Sequence, residues 1–222
     1  MTKKINLREL LNFYDHRVPS SNHHASAINA VLGEDLAVAL LVHYLKGLGL
    51  GVIVLDEVCT QGTRRGYRLD KWIAVESASE SAIYQVEIKN WSAHSIGGKS
   101  VKPDADEDFM REFRLSRWLY QFNVEAQIPS QKETLKVLTK MRVPAKFSNY
   151  DHQALLCFWE PLHHKGDIEA FFEVDVVSDA FKKLKVFSMS NYVRQLLKTT
   201  ETLEVEMPYA DARIDWLKNL YN

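Results

Sequence analysis

The stretch from Tyr67 to Lys89 constrains the fold of this chain more than any other. Residues 67–75 and 82–89 are rich in β-branched and aromatic side chains, and the small polar segment Ser77-Ala78-Ser79-Glu80 separates them. Two such runs around a short turn read as an antiparallel hairpin. A turn centred between Ala78 and Ser79 pairs Val75 with Ala82, Trp72 with Gln85, Asp70 with Glu87 and Arg68 with Lys89. Strand alternation then places Arg68, Asp70, Trp72, Ala74, Ile83, Gln85, Glu87 and Lys89 on one face. The other face carries Leu69, Lys71, Ile73, Val75, Tyr84, Val86 and Ile88 and is mostly apolar. Directly opposed residues have Cβ atoms about 4.5–5.5 Å apart, so Asp70 and Glu87 come within reach of each other. Two carboxylates at that spacing repel unless a cation lies between them. A slip of one residue would send the two acids to opposite faces, so the inference depends on the turn.

The rest of the chain supplies elements for an α/β domain. Helical spacing of Leu7, Leu10, Leu11 and Tyr14 predicts a helix over residues 5–16, and a second helix spans about 25–47, stopped by Gly47, Gly49 and Gly51. Residues 52–59 read as the first strand, followed by a loop over 60–66. Beyond a loop at 92–108, helices are expected at 109–122 and 131–140, and strands at 154–160, at 170–177 and near Val186. The tail reads as a helix (191–197), a strand (203–207) and a closing helix (210–220). This order predicts a mixed β-sheet flanked by α-helices. With no linker in its 222 residues, the chain reads as one domain, 1–222. Its core would cover about 25–160, with an N-terminal helix and a C-terminal α/β extension.

Several function classes drop out at this level. A net charge of −1 argues against a protein that coats DNA through many phosphate contacts. The longest apolar run, 36–42, is too short to span a bilayer, and the first residues lack the apolar core of a signal peptide. Cys59 and Cys157 each sit in a strand-like run and read as reduced, buried side chains of a cytoplasmic protein. Neither His23-His24 nor His163-His164 has the spacing of a structural zinc site, and Gly97-Gly98-Lys99 lacks that of a phosphate-binding loop. Trp72, Trp91, Trp118, Trp159 and Trp216 read mainly as core, with Trp91 as a loop exception.

Asp70, Glu87 and Lys89 instead suggest a hard divalent cation beside a phosphate. Glu34 adds a third acid at the start of an apolar helix, on the stripe of Ala37, Val38, Leu41, Leu45 and Leu48. An acid facing inward there needs a partner, because burying a lone carboxylate is costly. Gly33-Glu34 opening an apolar helix, a glycine-ended helix, a strand, then Arg68-Leu69-Asp70 and Val86-Glu87-Ile88-Lys89 together resemble the PD-(D/E)XK nuclease superfamily. The likeness covers about residues 30–125 and rests on short motifs, and Leu69 stands where the family name has proline.

The resemblance implies a restriction endonuclease-like core and a metal-dependent nuclease, of endonuclease type by the family's example, that hydrolyses phosphodiester bonds, with DNA favoured over RNA as substrate, as in restriction, defence or repair. It implies Mg²⁺ or Mn²⁺ held by Asp70 and Glu87 with help from Glu34, and Lys89 as the group that orients water and offsets phosphate charge. Arg64, Arg65, Arg68, Lys99, Lys102 and the helical stripe Arg111, Arg114 and Arg117 are the candidate nucleic-acid contacts. Gln85 reads as a packing or hydrogen-bonding residue that could also touch substrate. A homodimer would suit the cutting of two strands. The competing class is a catalytically inactive nuclease-fold module that binds nucleic acid or protein. A third reading is an unrelated α/β protein with a surface cluster of acids.

Overall fold

The computed structural model describes residues 2–15, 32–55, 69–89, 136–159, 169–176 and 178–220. In chain order the elements are β1 (Thr2–Asn6), α1 (Leu7–Asp15), α2 (Glu34–Gly47), β2 (Gly51–Leu55), β3 (Lys71–Glu76), β4 (Ser81–Lys89), β5 (Asp151–Phe158), β6 (Phe171–Asp175), β7 (Lys183–Ser188), α3 (Met189–Leu196), β8 (Thr202–Glu206) and α4 (Pro208–Leu220). Six strands form one mixed sheet in the order β2-β3-β4-β5-β7-β6, and β1 pairs with β8 in a separate two-stranded sheet. Strands β4, β5 and β7 run parallel, while β2–β3, β3–β4 and β6–β7 are antiparallel. The protein is therefore an α/β protein built on a mixed sheet.

The hairpin has the register expected from its turn. Val75 pairs with Ala82 and Trp72 with Gln85. Ser77 makes this turn rigid: its Oγ accepts the N–H groups of Ser79 (3.3 Å) and Glu80 (3.0 Å), while its own N–H donates to Glu80 O at 2.8 Å. A serine hydroxyl that ties down the backbone two and three residues on is a local turn lock, so register does not depend on the sheet alone. At the other end of β2, Gly49 adopts φ +80° and closes α2, its N–H donating to Lys46 O at 2.9 Å. Only glycine takes that conformation without strain, which is why the helix stops there.

One sheet face packs Ile73, Val75, Tyr84, Val86, Ile88, Leu155 and Cys157 against α2 (Leu36, Ala37, Leu40, Leu41, Leu45), α3 (Tyr192, Val193) and Leu7 of α1. The opposite face is covered differently. Trp72, Ala74 and Ile83 meet Met141 and Phe147, and Leu156, Leu184 and Val186 meet Val137 and Phe181. Among the described residues, that second cover is irregular chain with two 3₁₀ turns, Lys136–Leu138 and Ala145–Phe147, rather than α-helix.

Several expectations change. The helix predicted over 131–140 is, over its described part, a single 3₁₀ turn at Lys136–Leu138 followed by chain without helix. Gln85 captures its backbone groups, an alternative to a helical ladder that periodicity cannot register. The first helix begins only at Leu7, because residues 2–6 are claimed by β8, almost the whole chain away. Strand β3 starts at Lys71, and Leu69, just outside it, joins Trp72 and Ala74 rather than the helix-covered face. Strand β5 begins at Asp151, three residues early. Glu34 is exposed despite lying on the apolar stripe, and so is Leu48 at 59%. Residues Asp35 to Leu41 are buried all round α2, so stripe reasoning does not distinguish its faces. Trp216, expected in the core, is 63% exposed. No helix among the described residues is long and apolar enough to cross a membrane.

Candidate functional site

The carboxyl ends of the parallel strands β4, β5 and β7 lie at one edge of the sheet, where ligand sites of α/β sheets commonly form. Glu87 and Lys89 stand on the last turn of pleat of β4, and Asp70 immediately precedes β3, which runs the opposite way. The antiparallel register brings Asp70 to that same edge. There its Oδ2 accepts the backbone N–H of Ile88 at 2.7 Å, so the carboxylate caps the ladder where β3 begins. The end of β4 is held from the other side as well. Trp159 N donates to Lys89 O at 3.4 Å, and Ser190 N, in the first turn of α3, donates to Trp159 O at 2.8 Å.

Glu87 is buried, 6% exposed, and its carboxylate is paired with the Lys89 ammonium. Two residues apart on one strand, these side chains share a face, which is the geometric reason for the pair. Among the described residues, one lysine faces two acids here. Burial, then the charge of Glu87, push the Asp70 carboxyl up to about 6, against the lowering effects of the Ile88 hydrogen bond and of Lys89. Glu34 contributes in the same direction, so the exposed acid at the start of α2 is electrostatically coupled to the pair. Asp70, Glu87, Lys89 and Glu34 are thus brought to one region. Among the described residues no three His, Cys, Asp or Glu side chains are grouped closely enough to enclose an ion. Of the two acids acting on Asp70, Glu87 has the larger effect and Glu34 the smaller.

Arg64, Arg65, Arg68, Lys99, Lys102, Arg111, Arg114 and Arg117 lie outside the described residues, as do Cys59, Trp91, Trp118 and both histidine pairs. Cys157 is a free thiol, fully buried, and burial followed by the charge of Asp70 pushes its pKa up.

Gln85 resolves to a structural role. Its Nε2 donates to Val137 O (2.7 Å) and Thr139 O (2.8 Å), and its Oε1 accepts from Met141 N (3.0 Å). His152 Nε2 lies 3.1 Å from the same Oε1. An amide oxygen already committed as an acceptor requires that nitrogen to be the donor, leaving Nδ1 bare. Burial, followed by the charge of Lys140, pulls His152 down to about 4, so it is neutral at physiological pH.

Sequence reasoning missed Asp35 and Lys71. Asp35 is buried, and its Oδ2 accepts Ala210 N at 2.6 Å, capping the first turn of α4. Lys71 reaches Tyr209, also in that turn, at 3.5 Å to the hydroxyl and 4.5 Å to the ring centroid. No periodicity could signal partners so distant in sequence. Compared with protein-family models, with curated proteins and with solved structures, the chain matches none.

Proposed function

We propose that this protein is a metal-dependent nuclease with a restriction endonuclease-like core, acting on DNA, with Asp70, Glu87 and Lys89 at its centre and Glu34 assisting. What supports the reading most is the electrostatic surplus at Asp70. Among the described residues, two carboxylates at the carboxyl edge of the sheet share a single lysine, and the carboxyl of one is pushed up to about 6. A pair kept under such repulsion suits an added cation. Oxygen donors from two carboxylates are what a hard ion of the Mg²⁺ class takes from protein, with water and substrate phosphate completing its shell. The residues present therefore fit the ion that the resemblance implies.

When bound by Asp70 and Glu87, Mg²⁺ or Mn²⁺ supplies Lewis acidity at the phosphoryl oxygen and lowers the pKa of water. The chain itself does the rest. Lys89 holds its ammonium beside Glu87, where it offsets charge developing on a scissile phosphate. In the overall step a water oxygen bonds to phosphorus, the bond from phosphorus to the leaving sugar oxygen breaks, and that oxygen gains a proton. Asp70, anchored to Ile88 N, keeps a fixed place while this occurs, because its orientation is set by the backbone.

Cleavage of plasmid and single-stranded DNA in Mg²⁺ or Mn²⁺ tests this directly. Lys89→Ala should lose about 10²–10³-fold in rate, the usual loss for one charge-stabilising group, and Asp70→Ala at least as much. Wild-type protein that cuts nothing, or variants that cut equally well, would sink the assignment. Melting temperature against metal concentration separates the enzyme from an inactive module. An ion that binds the native state raises stability by roughly 2.7 kcal/mol at a hundred times its Kd, and Asp70→Ala should abolish that rise.

A further inference from the structure

The sheet opens at a second place, at the amino ends of the strands whose carboxyl ends border the candidate site. Strands β4 and β5 pair from Ala82 and Asp151 onward, but β5 and β7 pair only from Ala154 and Leu184. Before Leu184 the chain follows β6 instead. Asp175 pairs with Lys183, and Val176 N donates to Lys182 O at 3.0 Å. Asp151–Gln153 and residues 180–183 therefore diverge, and the split between them is an open cavity of about 300 Å³. From His152 to Phe158, the partner of Lys89, β5 advances about 20 Å. The cavity and the candidate site are thus separate.

One wall is fixed by the chain itself. Ser178 Oγ donates to Leu138 O (2.8 Å) and accepts the N–H groups of Ala180 (3.1 Å) and Phe181 (3.3 Å). The Phe181 ring meets that of His152 edge-on, with 5.2 Å between centroids. A site held in shape before its ligand arrives loses less on binding. Ala154, Ala180 and Phe181 give the cavity apolar lining, and Lys182, Lys183 and Lys185 give it three ammonium groups. The acids there are already engaged. Glu173 alone serves both Lys183 (3.4 Å) and Lys185 (3.3 Å), and the Asp151 carboxylate accepts the Gln153 amide. Lys182 has no ion-pair partner among the described residues.

Charge and volume together select an occupant. An ammonium has three N–H donors, so Lys183 and Lys185 keep donors beyond those given to Glu173. A phosphate monoester brings nearly two negative charges near neutral pH and three acceptor oxygens. It answers several ammoniums at one rim better than a second carboxylate does. The volume lies at the lower end of small-molecule pockets, which run from roughly 300 to 1,000 Å³. We infer that this cavity binds a small organic phosphate ester. Its phosphate lies on Lys182 with Lys183 and Lys185, and its organic part lies against Ala154, Ala180 and Phe181. Such a site needs neither a metal nor the acids of the candidate nuclease centre.

Isothermal titration calorimetry in EDTA tests this apart from the nuclease reading. The probes are adenosine monophosphate and glycerol phosphate, their counterparts adenosine and glycerol, inorganic phosphate, and a short blunt DNA duplex. At least one ester should bind more tightly than both its counterpart and inorganic phosphate. Lys182→Gln and Lys183→Gln, at exposed positions, should each weaken that binding about tenfold, the usual worth of a hydrogen bond to a charged group. Ala180→Trp fills the cavity and removes no charge, so it should abolish binding while the melting temperature confirms the fold. Asp70→Asn should bind the ester as wild type does, whether or not the protein cleaves DNA. Binding of neither ester overturns the site, and so does an ester affinity unchanged in Lys182→Gln. Loss of ester binding in Asp70→Asn puts the ligand at the candidate centre and overturns it too. Duplex binding that needs Lys182 and survives Ala180→Trp, with no ester bound, makes the lysines a polyanion surface and ends the pocket reading.

Discussion

Gln85 and Glu87 stand two residues apart on the same face of the same strand, both buried, and they illustrate opposite uses of a buried polar group. Around Gln85 every hydrogen-bonding valence closes within the chain, on Val137, Thr139, Met141 and His152. Around Glu87, among the described residues, two acids face one lysine, and the carboxyl of Asp70 is pushed up to about 6. A closed network specifies a fold, because each group left unpaired in a low-dielectric interior is costly. An open one at a sheet edge leaves repulsion that an added cation would relieve, as the proposed function requires. The difference teaches which of two neighbouring polar side chains to regard as scaffold and which as site.

Replacing Gln85 gives the largest stability effect available to that comparison. Gln85→Leu should cost about 2–4 kcal/mol, since it strands two carbonyls, an amide and an imidazole N–H. Urea denaturation would measure it, and a loss well under 1 kcal/mol would mean that the segment at 136–141 is held by other contacts. At Asp70 the sign reverses. Asp70→Asn should stabilise the protein at pH 7–8, by about 1 kcal/mol or a rise of roughly 2–4 °C in a chain of this size, while removing metal-dependent stabilisation. The amide oxygen keeps the Ile88 bond and the repulsion from Glu87 disappears.

The same group gives a pH dependence. Folded Asp70 holds its proton up to about 6, against an ordinary 3.8. Between those values the folded state binds the proton more than the unfolded chain does, so raising pH through the window destabilises wild type. Thermal melts at pH 4 and pH 7 should show that loss in wild type but not in Asp70→Asn, and equal losses would refute the assigned cause. The smallest effect belongs to the exposed pairs of Glu173 with Lys183 (3.4 Å) and Lys185 (3.3 Å) at the sheet's other margin. Glu173→Gln should change stability by about 0–1 kcal/mol and respond to salt, a baseline against which the other two are read.

Much of this was legible in the amino-acid order. Local chemistry at Ser77–Glu80 sets the hairpin register, and register alone decides that Asp70 and Glu87 meet rather than diverge. The α/β class, the mixed sheet and the stop of α2 at its glycines follow from periodicity and backbone permissiveness, which are properties of neighbouring residues. Tertiary structure decided the rest. Only the fold could show that Glu34 is exposed while Asp35 turns inward to cap α4. The same holds for Gln85, which spends its amide on a segment some fifty residues away, and for β1, which needs β8 to become a strand. Trp216 could equally have been core or surface until the helix carrying it was placed. Each depends on a partner distant in sequence, and no local pattern encodes which distant group will satisfy a donor, bury a ring or leave a charge open.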